Sequence, residues 1–356
     1  MFNFIQSLEK FKLPFFSTFD VCFDLGTSNT RIAIKDKGKV LSEPTYIGFN
    51  KTSKEYIFFG SEAKTIVGKT PEFIKIIRPV INGVISDFDA EVALLHQFIQ
   101  RSINVYFKNY SLIKPQLRAI AAVPYSASEI EQKAVEEVLL KVGFSSIFLI
   151  EKPIATAIGA GINIFYHHPH LLIDIGAGLT ELSIVSGGGI VAEKTLKTAG
   201  DNMNQILANY AYLKYGIILG ETTCEHLKMY LLNFHQENKT FTVRGKSLEN
   251  GLPKSVRIKS SDVKEALFSN ISQIVDGAKE LIDISPPEVV DEIYERGITL
   301  TGGISNVEGI DHFLSGELKI DVIVANNPDD AVIRGLLKLS NNYQDLVRLS
   351  MPKIQA

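Results

Sequence analysis

Two short stretches constrain this 356-residue chain more than anything else in it. Asp174-Ile175-Gly176-Ala177-Gly178-Leu179-Thr180-Glu181 follows the apolar run Leu171-Leu172-Ile173 and leads into alternating residues up to Val185. The pattern reads as strand, tight glycine turn, strand. An acid at the end of a buried strand, followed at once by small residues, suits phosphate and a divalent ion. Glycines let backbone N–H groups approach phosphate oxygens, and the carboxylate holds the metal or its waters. Taken alone, the stretch is equally an ordinary hairpin with an Asp-initiated turn. A second copy changes the balance. Asp24-Leu25-Gly26-Thr27-Ser28-Asn29-Thr30-Arg31 follows Val21-Cys22-Phe23, and at one constant offset Asp24 falls on Asp174, Gly26 on Gly176, Thr30 on Thr180 and Gly38 on Gly188. Such a repeat implies two related domains. Two hairpins of this kind could grip one polyphosphate from opposite sides, each bringing an Asp to the metal.

The rest of the composition removes several function classes. Net charge is −3, which gives no basis for nucleic acid as a general partner. Only Cys22 and Cys224 are present, so there is neither a disulfide framework nor metal-finger spacing, and a reducing compartment is expected. No apolar run approaches the ~18 residues needed to span a bilayer.

Residues 1–16 stand apart. Phe4, Ile5, Leu8 and Phe11 share one helical face and Pro14 ends the segment. It lacks the continuous apolar stretch of a secretory signal. It reads either as an amphipathic helix lying on a membrane surface or as a helix packed on the protein body. Leu112-Ile113, between Asn109 and Lys114-Pro115, is either an exposed apolar tip or a buried loop anchor. Ser128 with Glu131 fits a capping box, which makes Glu131 structural. Glu151-Lys152-Pro153 precedes an alanine- and glycine-rich helix whose small residues suit close packing at a domain junction. His167, His168 and His170 are crowded beside a proline and read as a loop rather than a metal set. Ala199-Gly200-Asp201 opens a long helix. Gly220-Glu221 opens another, carrying Glu225 and Lys228 on one face, where the plainest reading is a surface ion pair. Ile298 to Thr301 is a strand running into Gly302-Gly303, a pair that lets backbone approach a flat ring or a phosphate.

The order Asp-Leu-Gly-Thr, then Asp-Ile-Gly, then Thr-Gly-Gly is similar to that of the actin, sugar-kinase and heat-shock-chaperone ATPase superfamily. Within it, residues 20 to 340 resemble the bacterial MreB family of actin-like cytoskeletal proteins. Asp24 to Thr30 resembles its first phosphate loop, and Arg78-Pro79 with Gly83-Val84-Ile85 a characteristic insertion. Ala157-Ile158-Gly159-Ala160-Gly161 resembles the interdomain helix. The resemblance implies an α/β, actin-like fold: two related domains, each with a mixed five-stranded sheet and helices, small inserted subdomains, and ATP in the interdomain cleft. Domain I is expected at 17–165 plus 335–356 with an insertion at 46–87, and domain II at 166–334 with an insertion at 205–261. The implied cofactors are ATP and Mg²⁺. Asp24 and Asp174 would serve the metal. Gly26, Thr27, Ser28, Asn29, Gly176, Ala177, Gly178, Gly200 and Asp201 would surround the phosphates. Glu225 and Lys228 would meet the ribose, and Gly302 and Gly303 the adenine side. Implied partners are further copies of the chain in double protofilaments, the inner membrane face through Phe4, Ile5, Leu8, Phe11, Leu112 and Ile113, and other cytoskeletal paralogues. Location would be cytoplasmic, peripheral at the inner membrane face.

The departures bear on chemistry. The family has Glu-Glu-Pro before the interdomain helix, and its second Glu positions the attacking water; here that position is Lys152. An ammonium offers no acceptor and cannot take a proton from water. In the second loop Leu179 stands where the family has a hydroxyl, next to Thr180. Glu151 is the nearest substitute base. Nucleotide binding with slow hydrolysis is therefore expected, as in divergent MreB paralogues of wall-less, helical, swimming bacteria. The rival readings are a small-molecule kinase on the same fold, the ATPase half of a chaperone, and a non-polymerising envelope scaffold.

Overall fold

The computed structural model describes residues 18–107, 116–235 and 238–352. The candidate membrane residues Phe4, Ile5, Leu8, Phe11, Leu112 and Ile113 lie outside them. The chain forms two units. Unit 1 comprises Met1–Ile66, Thr70–Lys152 and Leu336–Ala356, and unit 2 comprises Val67–Lys69 and Pro153–Gly335.

In unit 1, β1 (Thr18–Leu25), β2 (Asn29–Ile34) and β3 (Gly38–Pro44) form an antiparallel meander. Strands β4 (Ile47–Asn50), β5 (Glu55–Phe59) and β6 (Ile74–Ile77) make a small separate sheet, and β7 (Val80–Ile81) pairs with β8 (Val84–Ile85). Strands β9 (Gln116–Val123) and β10 (Ser146–Glu151) return to the first sheet in parallel, giving the order β10-β9-β1-β2-β3. The alternation of β1 explains its two faces. Val21, Phe23 and Leu25 enter the core with Leu94, Leu95 and Phe98 of the helix Phe88–Ser102, while Asp20, Cys22 and Asp24 take the opposite face. Phe23 meets Phe144 edge-on at 5.1 Å. Ser128 and Glu131 form the expected capping box on the helix Glu129–Lys141.

Unit 2 repeats this plan. β11 (His170–Ile175), β12 (Thr180–Ser186) and β13 (Gly189–Leu196) form the meander. A small sheet of β14 (Ile217–Ile218), β15 (Thr240–Ser247) and β16 (Pro253–Lys259) intervenes. β17 (Ile298–Thr301) and β18 (Val322–Val324) then join in parallel, in the order β13-β12-β11-β17-β18. Strand order and direction match unit 1 position for position. The register does too: Asp24 opposes Arg31 and Leu25 opposes Thr30, as Asp174 opposes Glu181 and Ile175 opposes Thr180. Leu171, Ile173 and Ile175 face the core with Leu267, Ile271 and Ile274 of the long helix Ser260–Asp283.

The boundary between units falls at Lys152/Pro153, earlier than the expected 165/166. One helix pair lies just beyond this boundary. The helix Lys152–Ala160 lies so close to the helix Ala331–Asn341 that a Cβ at Gly159 would stand 1.7 Å from the Ala331 carbonyl oxygen, and one at Gly335 would stand 1.8 Å from the Ala155 oxygen. Arg334 also donates to the Gly159 oxygen at 2.8 Å. Packing this tight ties the alanine-rich helix to unit 2.

An ionisable side chain, Glu91, lies deep in unit 1. It is fully buried in the helix Phe88–Ser102, and neither carboxyl oxygen has a hydrogen-bond partner among the described residues. Burial pushes its carboxyl from the ordinary 4.5 up to about 8. The folded chain therefore keeps a proton that the unfolded chain releases above 4.5, and stability falls as pH rises between 4.5 and 8. The slope is about 1.4 kcal/mol per pH unit. Between pH ~5.5 and ~7.5 the wild-type protein should lose about 3 kcal/mol more than Glu91→Gln, as read by urea unfolding at each pH. Parallel pH profiles for the two proteins would contradict this assignment.

Candidate functional site

In open α/β sheets, ligands meet the carboxyl ends of the parallel strands. In unit 1 that end carries the Asp24–Asn29 turn and Glu151. Asp24 pairs with Ala122 of β9, and Glu151 lies one residue further along, opposite Val123. In unit 2 the same end carries Asp174, the Gly176–Leu179 turn and Gly302.

The unit 2 site is held together by backbone. Gly176 N–H closes the turn on the Leu179 oxygen at 3.0 Å. Gly200 and Asp201, at the start of the helix Gly200–Tyr215, donate to the oxygens of Gly176 and Ala177 at 3.1 and 2.8 Å. A Cβ on Gly200 would stand 3.2 Å from Lys228 Nζ and 3.3 Å from both the Ala177 Cα and the Gly176 oxygen, a tight fit on three sides. Lys228 is buried rather than on the surface, and its Nζ donates to the Gly200 oxygen at 2.7 Å. Gly302 has φ +88° and lies flat against the hairpin: a Cβ there would meet the Ile175 oxygen at 2.4 Å and Asp174 Oδ1 at 2.6 Å. The Thr301 hydroxyl donates to Asp174 Oδ1 at 3.3 Å. Asp174, Gly176, Ala177, Gly178, Gly200, Asp201, Lys228 and Gly302 thus form one local assembly. Gly303 opens a 3₁₀ turn beside it, and Glu225 shares the helix Glu221–Leu231 with Lys228.

The hydroxyls have structural employment. Thr180, fully buried, donates to the Thr198 oxygen at 2.6 Å and so staples β12 to the approach of the Gly200 helix. Its counterpart Thr30 meets the Thr45 hydroxyl at 3.0 Å, and Thr45 donates to the Gly26 oxygen at 2.7 Å. Thr27 Oγ1 accepts the Gly83 N–H at 2.8 Å, which attaches the β7–β8 insertion to the first turn. A Cβ on Gly26 would sit 2.5 Å from the Asn29 oxygen. Asn29 Nδ2 donates to Ser28 Oγ at 3.2 Å. Leu179 is buried in the second turn and presents only carbon.

Glu151 and Lys152 stand at the junction of β10 and the following helix. Burial raises the Glu151 carboxyl above its ordinary value, which favours a base. Its register nevertheless places it on the face carrying Val123, opposite to that carrying Asp24. Lys152 opens the helix, where Pro153 suits the first turn. His168 pairs with Glu292 at 3.1 Å instead of gathering with its neighbours.

Strand order, doubled hairpins and the glycine-lined assembly together define a lineage, and sequence comparison decides which. The model of the MreB/Mbl protein family matches residues 18–348. The chain belongs to the MreB/Mbl family. The cell shape-determining protein Mbl of Bacillus subtilis is 36% identical over 329 residues, covering 92% of this chain and 97% of Mbl. The cell shape-determining protein MreB of Escherichia coli is 34% identical over 334 residues, covering 92% and 94%. The crystal structure of MreB5 of Spiroplasma citri bound to ADP superposes with a TM-score of 0.87 at 29% identity, covering 93% and 99%. The same protein bound to AMPPNP gives 0.86. A MamK double helical filament subunit, at 19% identity and a TM-score of 0.75, shares the fold. The fold of this MreB/Mbl member is actin-like, as its motifs imply.

Arg31 is the site residue that motif reading passed over. It lies directly opposite Asp24, and its Nη1 donates to Asp24 Oδ2 at 3.2 Å. The signal was available: the turn length places the seventh residue after the Asp across from it. Mg²⁺ typically uses one or two carboxylates together with phosphate oxygens. Asp174 accepts from the Thr301 hydroxyl and lies opposite Glu181. Asp24 is paired with the Arg31 guanidinium.

Proposed function

We propose that this MreB/Mbl member is an ATP-binding, actin-like cytoskeletal protein that polymerises into membrane-associated filaments governing cell shape or motility, with weak ATP hydrolysis. The observation that carries the nucleotide part is the unit 2 assembly, in which Lys228, Gly200 and Gly302 hold the Asp174 turn open to close backbone approach. The ADP and AMPPNP carried by MreB5 of Spiroplasma citri support the choice of ligand. Mg²⁺, when bound, would neutralise phosphate charge. Within the chain, Asp174 would receive the ion or its waters, and Gly176, Ala177 and Gly178 would present backbone to the phosphates. Weak hydrolysis rests on Lys152, which cannot accept a proton, and on Leu179, which cannot hydrogen-bond a water. The relatives named as cell shape-determining proteins support the cytoskeletal role. Among the described residues no helix is long and apolar enough to cross a membrane; on the apolar pattern of their sequence, residues 1–16 and Leu112-Ile113 are the segments assigned to contact a membrane surface.

One experiment separates these parts. ATP addition should drive the protein into the pellet as filaments visible by electron microscopy. The full chain should float with liposomes, and a variant lacking residues 1–16 should float several-fold less. Protein that stays in the supernatant with every nucleotide would refute the filament reading. Equal flotation of both forms would refute the anchoring role of residues 1–16.

A further inference from the structure

The inserted sheet of unit 2 has one apolar face and one cationic face. Val243 of β15 and Ile258 of β16 enter the unit 2 core, and Val256 packs against it. Side chains alternate along a strand. Arg244 and Lys246 of β15 and Arg257 and Lys259 of β16 therefore take the other face, and all four are exposed. The three strands of this sheet carry no Asp or Glu. Among the described residues none of Arg244, Lys246 and Arg257 forms an ion pair. Ser255 faces Arg244, which makes Arg257 its diagonal neighbour at about 7–8 Å. Like charges at that spacing repel, and the sheet holds no acid to offset them. Charges on an edge strand deter strand addition, which would account for Arg257 and Lys259 on β16. It does not account for Arg244 and Lys246, because β15 is the central strand.

At the Lys246 end the cationic face meets an apolar corner. Ile218 opposes Lys246 from β14 and is 49% exposed, and Leu248 and Leu252, in the turn joining β15 to β16, are 42% and 62% exposed. Cations spread in two dimensions beside short apolar projections match the interface of an anionic bilayer. Laterally mobile head groups can gather under the Lys and Arg side chains, and the aliphatic ends reach the acyl boundary. A long polyanion such as nucleic acid is disfavoured by the chain's net charge of −3.

We propose that the outer face of β15 and β16 is a further membrane-contact site, which takes an anionic lipid surface through Arg244, Lys246, Arg257 and Lys259, with Ile218 and Leu252 at its apolar end. This rests on the membrane association read above and adds to it a dependence on lipid charge carried by unit 2. Such a contact weakens as salt is raised.

The test is flotation of the full chain, without nucleotide, on vesicles of phosphatidylcholine alone and of phosphatidylcholine mixed with phosphatidylglycerol in equal parts. Each basic residue close to an anionic surface contributes about fivefold to partitioning. The triple variant Arg244→Gln/Lys246→Gln/Arg257→Gln should bind the mixed vesicles about tenfold to hundredfold less than wild type and match it on phosphatidylcholine. Lys246→Gln alone should lose about fivefold, and it remains informative if the triple variant fails to fold. Lys37→Gln/Lys75→Gln/Lys141→Gln removes the same charge from exposed positions of unit 1 and should behave as wild type. Equal flotation of wild type, Lys246→Gln and the triple variant on mixed vesicles would overturn the proposal and leave the role of residues 1–16 standing. So would a loss as large in the unit 1 control. A triple variant that floats normally but no longer pellets with ATP would assign the face to another copy of the chain instead. Wild type that floats with neither vesicle would overturn both this proposal and the membrane reading.

Discussion

Gly159→Ala should destabilise unit 2 by about 3 kcal/mol or more, the upper range of overpacking costs, although the same change in an open helix normally gains up to about 1 kcal/mol. The sign reverses because of what the new methyl would meet. At Gly159 the nearest atom is the backbone oxygen of Ala331 at 1.7 Å, and on the opposing helix Gly335 faces the Ala155 oxygen at 1.8 Å. Ordinary contact needs about twice that separation, 3.5–4.0 Å. Backbone cannot rotate aside as a side chain can, so the helices Lys152–Ala160 and Ala331–Asn341 would have to part. Parting would also strain the Arg334 bond to the Gly159 oxygen. Gly316, in the helix Ile310–Leu318, has open space where its Cβ would be. Gly316→Ala is the matched control, and a small gain is expected there. Urea midpoints of the three proteins decide the matter: a Gly159→Ala midpoint at or above wild type would show that the helices are not in this contact.

Lys152→Glu should raise the rate of phosphate release about 10-fold to 100-fold, toward the lower end of what a positioned acid–base group supplies. Wild type has no acceptor at this position, and Glu151 lies on the face opposite Asp24. The gain is held below the full range because Leu179 still offers carbon where a water would need a hydroxyl. The fold should tolerate the change well, since an acid in the first turn of the helix Lys152–Ala160 is favoured by the helix dipole, whereas the native lysine is opposed by it. Lys152→Gln removes the cation without adding a base, and its rate should stay near wild type. A rise as large for Gln as for Glu would assign the slow turnover to charge repulsion instead of a missing base.

Much of the architecture was legible because it is doubled. The Asp-x-Gly stretches at 24 and 174 imposed hairpins, and alternation in Val21-Cys22-Phe23 and Leu171-Leu172-Ile173 assigned their faces. Ser128 and Glu131 marked a helix start through local chemistry alone. Features set by distant contact were less legible. Lys228 looked like half of a surface pair because the Gly200 oxygen that buries it is 28 residues away in sequence. Thr27 and Thr180 also carry structural hydrogen bonds, from the Gly83 N–H and to the Thr198 oxygen, that motif reading does not reveal. The close approach of Gly159 to Ala331, far along the chain, was equally hidden. Arg31 was hidden differently. Its neighbour was derivable from the turn length, but it falls outside the residues that motifs emphasise.

The most direct test of the whole account is to follow bound nucleotide and released phosphate together in one sample of wild-type protein given a stoichiometric amount of ATP. Nucleotide held by the protein for many minutes with phosphate released from only a small fraction, and release accelerated in Lys152→Glu, is the result expected of a chain that holds ATP and turns it over slowly. Failure to retain nucleotide, or phosphate release that keeps pace with binding in the wild-type protein, would contradict it.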